Sequence, residues 1–260
     1  MTVSQDFKDA HAQWFETRLA KLKAEDGWLN LLGRWWVEDG TYTIGSDAEC
    51  DVRLPVGPAR LGTLTFNGDD KGTFDPVDGD PVAIDKAAGP MAWRAGRFLL
   101  EITAPNARRA LRIRDTEHDT EAALKPIPFY PLDPALRITA KWEALPEPMT
   151  ITLDTVIGVP TKATVTHRAR FELGGEEVTL LATYGTPERP QFIFRDLTSL
   201  DETYGDMRFV FGEEVTEDSV VIDFNRAVNP PCAFTDHAIC PLAPRENLFS
   251  LRIEAGEKRV

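Results

Sequence analysis

The sequence predicts a mainly β protein that begins with one helix and continues as two β domains. The chain has 260 residues, enough for two domains of ordinary size. Apolar residues near the start follow helical spacing. Beyond that stretch, short apolar runs alternate with turns rich in Asn, Asp and Gly, a pattern typical of β-sandwiches and barrels.

The helix is predicted over residues 6–24, and we assign residues 1–27 to this helical segment. Charged residues occupy one side of the predicted helix. Ser4 or Asp6 can cap its start, and Gly27 is expected in the turn beyond its end. The apolar positions with approximately helical spacing are Phe7, Ala10, His11, Trp14, Leu19 and Leu22.

A small β-sandwich is predicted over residues 28–125. Its strands are separated by the turns Glu38-Asp-Gly40, Phe66-Asn-Gly-Asp69 and Val77-Asp-Gly-Asp80, where Asn and Gly tolerate positive φ. The predicted strands are 29–37, 41–44, 51–54, 61–66, 72–76, 82–85, 91–95, 97–102 and 107–114, followed by a partly helical stretch at 115–124.

A second antiparallel β domain is predicted over residues 126–260. The segment 125–134 holds four prolines and is expected to be a semi-rigid connector between the domains. The turn Leu173-Gly-Gly-Glu176 predicts a hairpin. The predicted strands are 136–142, 149–155, 159–165, 168–173, 176–184, 191–196, 207–211, 220–225 and 249–254.

Residues 223–247 form a loop rich in proline and cysteine, and we expect it to close the open end of the second domain. Its prolines exclude a helix or a central strand. Phe224, Phe234 and Leu242 favour burial, so the loop is predicted to be ordered. A long ordered loop in a compact domain is usually functional, and we expect this one to form a wall of a pocket.

These residues resemble a family of mostly bacterial proteins catalogued as domain of unknown function 1684. Val228 and His237 depart from the family pattern. The resemblance implies a β-rich fold and assigns no catalytic residue. It is carried by Asp26–Leu29, Phe194–Asp196, Glu202–Gly205, Asp223–Arg226, Asn229–Cys232, Cys240–Leu242, Pro244, Glu246–Asn247 and Glu254–Lys258.

The stretches Gly40–Ser46, Cys50–Pro55 and Leu61–Thr63 are similar to the opening strands of forkhead-associated domains, which implies a forkhead-associated-like β-sandwich. Those domains bind phosphothreonine through an Arg and a Ser on neighbouring loops. Ser46 matches the Ser, but residues 59–62 lack the signature that follows in that family. Phosphopeptide binding is therefore not expected.

Polar residues at the end of the apolar run 220–222 are the first candidate site. Arg226 offers a planar fork suited to carboxylate or phosphate. The alternative is an internal pair of Arg226 with Asp223 or Glu246. A second polar set, formed by Arg195, Asp196, Tyr204 and Arg208, is open to the same two interpretations. The candidate ligand-binding residues are Arg226, Asn225, Asp223, Tyr204, Arg195, Arg208 and His237.

Cys232, His237 and Cys240 supply three zinc-type ligands within nine residues. A structural zinc site needs four, and no Cys-x2-Cys pair is present. Cys232 as a nucleophile would need a base such as His237 or His167. Packing as small apolar residues is the alternative for the cysteines. We therefore expect no metal and no cofactor.

The net charge of −13 and a sequence pI near 4.8 argue against a nucleic-acid partner. The start of the chain has no apolar signal region, so no membrane association is expected. Three cysteines fit a reducing compartment, and cytoplasm is the predicted location.

The leading functional hypothesis is binding of a small anionic molecule in a C-terminal pocket, with enzymatic activity left open. The alternatives are a non-catalytic protein-interaction module and a metal-stabilised structural protein. Composition and spacing determine neither the ligand nor the oligomeric state.

Overall fold

A computed structural model describes residues 3–68, 71–87, 91–104 and 108–260. Strands dominate these residues, so the predicted mainly β fold is confirmed. The chain divides into two compact units, Ala20–Leu124 and the combination of Met1–Leu19 with Lys125–Val260. Asp69 in one predicted turn and Ala107 at the start of one predicted strand lie outside the described residues.

The long helix α1 spans Gln5–Lys23, one residue from the predicted bounds at each end. The Ser4 hydroxyl accepts a hydrogen bond from the Phe7 backbone N–H at 3.3 Å, which confirms Ser4 as its cap. The ring of Phe15 packs edge-on against Phe129 with centroids 4.8 Å apart. The first part of α1 therefore belongs to the C-terminal unit.

The unit Ala20–Leu124 contains two sheets whose strands are mostly antiparallel. The four-stranded sheet has the order β1-β9-β8-β7, and the five-stranded sheet has the order β3-β2-β4-β5-β6. A short helix, α2 (Thr120–Ala123), follows the last strand. The strands are β1 (Leu31–Trp36), β2 (Gly40–Gly45), β3 (Val52–Arg53), β4 (Gly62–Phe66), β5 (Lys71–Pro76), β6 (Val82–Asp85), β7 (Ala92–Ala95), β8 (Phe98–Thr103) and β9 (Ala110–Asp115).

Alternate residues of these strands form one apolar core. Ile44, Leu64 and Phe74 from the five-stranded sheet lie in the same buried cluster as Leu100 and Leu111 from the four-stranded sheet. The two sheets therefore pack face to face as a sandwich. Its forkhead-associated character stays a prediction.

The second unit is built on one seven-stranded sheet with the order β12-β11-β10-β16-β15-β14-β13. Its core is rich in aromatic residues, among them Trp142, Phe192, Phe194 and Phe224. The strands are β10 (Arg137–Leu153), β11 (Thr161–Leu173), β12 (Glu176–Leu181), β13 (Tyr184–Thr186), β14 (Arg189–Phe194), β15 (Arg208–Glu213) and β16 (Ser219–Asp223).

The predicted Gly-Gly hairpin is confirmed. Leu173 pairs with Glu176, and Gly174 and Gly175 have φ of 64° and 83°. Both values lie in the left-handed region, which glycine adopts without steric cost.

Two predicted strand breaks are wrong. The single strand β10 covers most of both 136–142 and 149–155, and β11 covers most of 159–165 and all of 168–173. The gap between the first two predicted strands contains Pro146 and Pro148, and it falls where the register with β11 shifts, between Ala144 and Met149. An irregularity of this kind tolerates proline because it interrupts the ladder of backbone hydrogen bonds.

The side chain of Asn247 joins two strands that are not neighbours in the sheet. Its Oδ1 accepts from the Leu181 N–H at 2.7 Å, and its Nδ2 donates to the carbonyls of Leu181 at 3.0 Å and Ile193 at 2.8 Å. Leu181 ends β12, and Ile193 lies on β14. The sheet is therefore curved, and one buried amide links these strands across the curve.

Candidate functional site

The end of β16 is held by a closed hydrogen-bond network. Asp223 Oδ1 accepts from the backbone N–H and the side-chain amide of Asn225, at 3.0 and 2.9 Å. The Asn225 amide also accepts from the Asp133 N–H and donates to the Asp133 carbonyl, each at 2.8 Å. Burial raises the pKa of Asp223. Asn225 thus binds the connector that precedes β10, and Asp223 holds the Asn225 side chain in place.

Arg226 is engaged by side chains of its own unit. Its Nη1 donates to both carboxylate oxygens of Glu213 at 2.7 and 2.9 Å, and its Nε lies 3.6 Å from Asp223. Its guanidinium lies over the ring of Trp14 at 5.9 Å. The neighbouring His11 donates from Nε2 to the Asn225 carbonyl at 3.0 Å, and burial lowers the pKa of His11. These contacts correspond to the internal alternative, with Glu213 as the main partner.

Replacement of Arg226 by lysine is expected to lower the apo melting temperature by roughly 2–4 °C. Lysine keeps the charge but loses the planar fork on Glu213 and the stacking on Trp14. We expect any shift that small anions cause in a thermal-shift screen to be equal in the wild type and the variant. An unchanged apo value together with stabilisation by anions in the wild type alone would instead show that Arg226 holds a ligand.

Arg208 lies in the interior with its side chain 1% exposed, and it pairs with the equally buried Asp196 at 3.1 Å. Its Nη1 donates to the Ala255 carbonyl, and its Nη2 donates to the Ile253 carbonyl at 2.9 Å. Asp196 accepts from the Ile253 N–H at 2.7 Å. The prediction of a strand at 249–254 is wrong. The side chains of Arg208 and Asp196 hydrogen-bond to the backbone carbonyl and N–H of Ile253, which a neighbouring strand would otherwise bind.

The other predicted site residues lie in different surroundings. Arg195 donates from Nε to the Ser199 hydroxyl at 3.1 Å. Tyr204 contacts Cys232; burial and this hydrogen bond raise the pKa of Tyr204. The hydrogen bond from Cys240 lowers the pKa of Cys232. The backbone N–H of His237 donates to the Thr235 hydroxyl at 3.3 Å.

The two cysteines lie together, and the Cys232 N–H donates to Cys240 Sγ at 3.3 Å. Across the described ranges, no three His, Cys, Asp or Glu side chains are grouped as ligands for a metal ion. Absence of stoichiometric zinc stays a prediction, which elemental analysis of the purified protein checks. About one zinc per chain, lost on Cys240→Ser, would contradict it.

The C-terminal segment that follows is anchored by Glu257, which is fully buried. Its carboxylate accepts from the Asn229 N–H at 2.6 Å and from Arg18 Nε at 3.1 Å, so it ties α1 to the loop. Gly256 has φ of 78°, and a Cβ there would lie 2.5 Å from the Ala227 carbonyl oxygen. Only glycine fits this close approach.

A cavity of about 660 Å³ lies in the C-terminal unit between β10, β11 and the β12–β14 region. At its wall Trp142 stacks on His167, with ring centroids 4.9 Å apart and an interplanar angle of 9°. His167 Nδ1 lies 2.9 Å from the Thr166 hydroxyl. Burial raises the pKa of Tyr184, another wall residue.

Thr183 is the unusual member of this wall. The residue is 3% exposed, and its hydroxyl oxygen is buried without a hydrogen-bond partner. Its backbone N–H donates to the Gln191 carbonyl at 3.1 Å, so the residue is held in place. Buried hydroxyl groups are normally hydrogen-bonded. The wall of the cavity therefore contains a residue that is held in place and whose hydroxyl has no partner among the described residues.

Charged residues of both signs also line this cavity. Lys162 is exposed and makes no ion pair in the part of the chain that the structure describes, and Glu217 is exposed on the β15–β16 turn. None of the seven ligand-binding residues predicted from the sequence lines it. The threonines near His167 were the sequence feature that could have indicated this cavity. That feature is weak evidence for a site, because threonine is common in strands.

Within the described residues, no helix combines the length and apolar composition that crossing a bilayer requires.

A comparison with curated proteins finds no match. Among solved structures, the chain is similar to an uncharacterized protein of Haloarcula marismortui studied by solution NMR. The identity is 24%, the TM-score is 0.44, and the match covers 54% of this chain and 80% of that one.

The sequence profile described as "Protein of unknown function (DUF1684)" matches residues 122–258. This range includes the whole β10–β16 sheet, the loop 223–247 and the Glu257 anchor. The match spans more than half of the chain and agrees with the resemblance that the C-terminal motif carries. The chain therefore belongs to the DUF1684 family of proteins of unknown function.

Proposed function

We propose that the C-terminal unit binds a small acidic organic molecule in the cavity beside Thr183. The observation that carries the proposal is the buried, unpartnered Thr183 hydroxyl in the wall of a cavity of about 660 Å³. Cavities of roughly 300–1,000 Å³ accommodate small ligands. A ligand group that hydrogen-bonds to Thr183 would remove the cost of leaving that hydroxyl unsatisfied.

The lining residues support the chemical class of the ligand. Trp142 and Tyr184 provide aromatic surface, which favours a flat or apolar part of the molecule. Lys162 provides an exposed ammonium group without an ion pair in the described residues, which favours an acidic group. Glu217 would repel that group, so the acidic end is proposed to lie toward Lys162.

The test is a screen of small aromatic and aliphatic carboxylic acids by ligand-observed NMR, with dissociation constants measured for the hits. Thr183→Val keeps the shape of the side chain and removes the hydroxyl. We expect it to weaken the hits by roughly 2- to 10-fold, because one hydrogen bond contributes about 0.5–1.5 kcal/mol. Its apo melting temperature should be unchanged or higher, since an unsatisfied buried hydroxyl is lost.

The matched control is Thr152→Val, since Thr152 is exposed on β10 and lies outside the cavity lining. It should bind the hits as the wild type does. The proposal fails when no acid in the screen binds, or when Thr183→Val binds the hits as tightly as the wild type.

A further inference from the structure

The outer face of the four-stranded sheet in the unit Ala20–Leu124 carries three arginines. Arg34 on β1 lies directly opposite Arg112 on β9, and Arg114 is two residues along from Arg112. Residues two apart on a strand point to the same face. Between them, Ile113 points to the other face and belongs to the apolar core. We call Arg34, Arg112 and Arg114 the arginine face.

One carboxylate contacts two residues of the arginine face. Glu101 on β8 lies opposite Arg112, and its carboxylate is 2.9 Å from Arg114 Nη1 and 3.8 Å from Arg112 Nη1. The nearby Arg94 on β7 has its own partner in Glu25. Glu101 therefore contacts two of the three guanidinium groups, and Arg34 is not one of them.

Arg34 makes no ion pair and no hydrogen bond through its side chain in the part of the molecule that the structure describes. Its Nε and Nη1 are buried and have no acceptor, although the side chain as a whole is only partly buried. Its guanidinium lies over the ring of Trp36 at 5.0 Å, and burial lowers its pKa.

Such an arrangement is unfavourable for the protein alone. Burying a guanidinium costs free energy unless acceptors meet its N–H groups, and stacking on an indole ring supplies none. Native structures rarely leave buried donors unsatisfied, so a donor of this kind requires a specific explanation. An anion held at the arginine face would supply the counter-charge that Arg34 lacks among the described residues.

We propose that the arginine face binds an oxyanion, a phosphate, sulfate or carboxylate group, with Arg34 as its principal contact. The planar fork of a guanidinium matches two oxygens of such a group. Trp36 is contacted by Arg34 and also by Arg108, whose guanidinium lies 4.2 Å from the ring centroid. The indole ring therefore contacts two guanidinium groups before an anion binds. This site is independent of the cavity beside Thr183.

The test compares sodium phosphate, sodium sulfate and sodium citrate with sodium chloride at equal ionic strength, in a thermal-shift assay on the full chain. At least one oxyanion is expected to raise the melting temperature of the wild type by roughly 2–4 °C. The anion with the largest shift distinguishes a phosphate-like from a carboxylate ligand.

Arg34→Met is the informative variant. Its apo melting temperature should equal or exceed that of the wild type, because a buried group without acceptors is replaced by an apolar one. The stabilisation by oxyanions should be lost. Arg53→Met is the matched control, since Arg53 is exposed and makes no ion pair among the described residues; it should keep the shift.

Three results would overturn the proposal: no oxyanion stabilises the wild type beyond chloride, Arg34→Met keeps the stabilisation, or its apo melting temperature falls by several degrees. The last result would assign Arg34 to the structure of the sheet. Should Arg34→Met fail to fold, Arg34→Gln carries the same comparison. Thr183→Val should keep the oxyanion shift, so this proposal and the one for the cavity fail separately.

Discussion

Replacement of Arg208 by methionine is expected to lower the free energy of unfolding by about 3–5 kcal/mol. The substitution leaves the buried Asp196 carboxylate without its cation and removes the donors to the carbonyls of Ile253 and Ala255. For a domain of this size, the melting temperature should fall by roughly 6–20 °C. Urea unfolding followed by circular dichroism measures the loss.

The control for this experiment is Arg245→Met, because Arg245 is exposed and makes no side-chain hydrogen bond or ion pair in the described ranges. It should change stability by less than about 0.5 kcal/mol. Adding Asp196→Asn to Arg208→Met should cost less than the sum of the single changes, since both remove the same ion pair. A loss below 1 kcal/mol for Arg208→Met would show that the pair contributes little.

Replacement of Asn247 by alanine is expected to cost about 3 kcal/mol or more. It leaves three buried backbone groups without partners, the N–H and carbonyl of Leu181 and the carbonyl of Ile193. Each unsatisfied buried group costs roughly 1–3 kcal/mol. Because Asn247 links β12 with β14, hydrogen exchange at the Leu181 amide should also accelerate.

Asn247→Asp separates the loss of the hydrogen-bond acceptor from the loss of the hydrogen-bond donor. The carboxylate still accepts from the Leu181 N–H, but it meets the two carbonyl oxygens without a donor. We expect a loss comparable to that of alanine near neutral pH. Glu246→Ala, at an exposed neighbouring position, is the control and should be close to neutral. Unchanged protection of the Leu181 amide in Asn247→Ala would contradict the proposed link.

The prediction of secondary structure succeeded where a local signal decided the conformation. The helical spacing and the Ser4 cap placed α1 within one residue, and the Gly-Gly turn placed the β11–β12 hairpin. The prediction failed at β10, which continues as one strand through two prolines at an irregularity in its register with β11. Whether a proline interrupts a strand depends on the partner strand, which local sequence does not specify.

The prediction of site residues could not identify the partners of those residues. Asp223, Asn225 and Arg226 are close in the folded protein, as their adjacency requires. Their main partners come from distant parts of the chain: Glu213 on β15, Asp133 in the connector and His11 on α1. A guanidinium at a strand end must meet an anion. The identity of that anion depends on the tertiary arrangement.

The sequence by itself determined the class of fold, the helix, most strands and the membership of the family, because periodicity, turn residues and the C-terminal motif are properties of neighbouring residues. Only the tertiary structure decided that Asn247 joins β12 to β14, that Arg208 is fully buried, and that Thr183 and Arg34 hold buried donors without acceptors. Hydrogen bonding and burial are set by groups far apart in the chain that the fold brings within a few ångströms. The polar groups left over from that arrangement are the basis of both proposed binding sites.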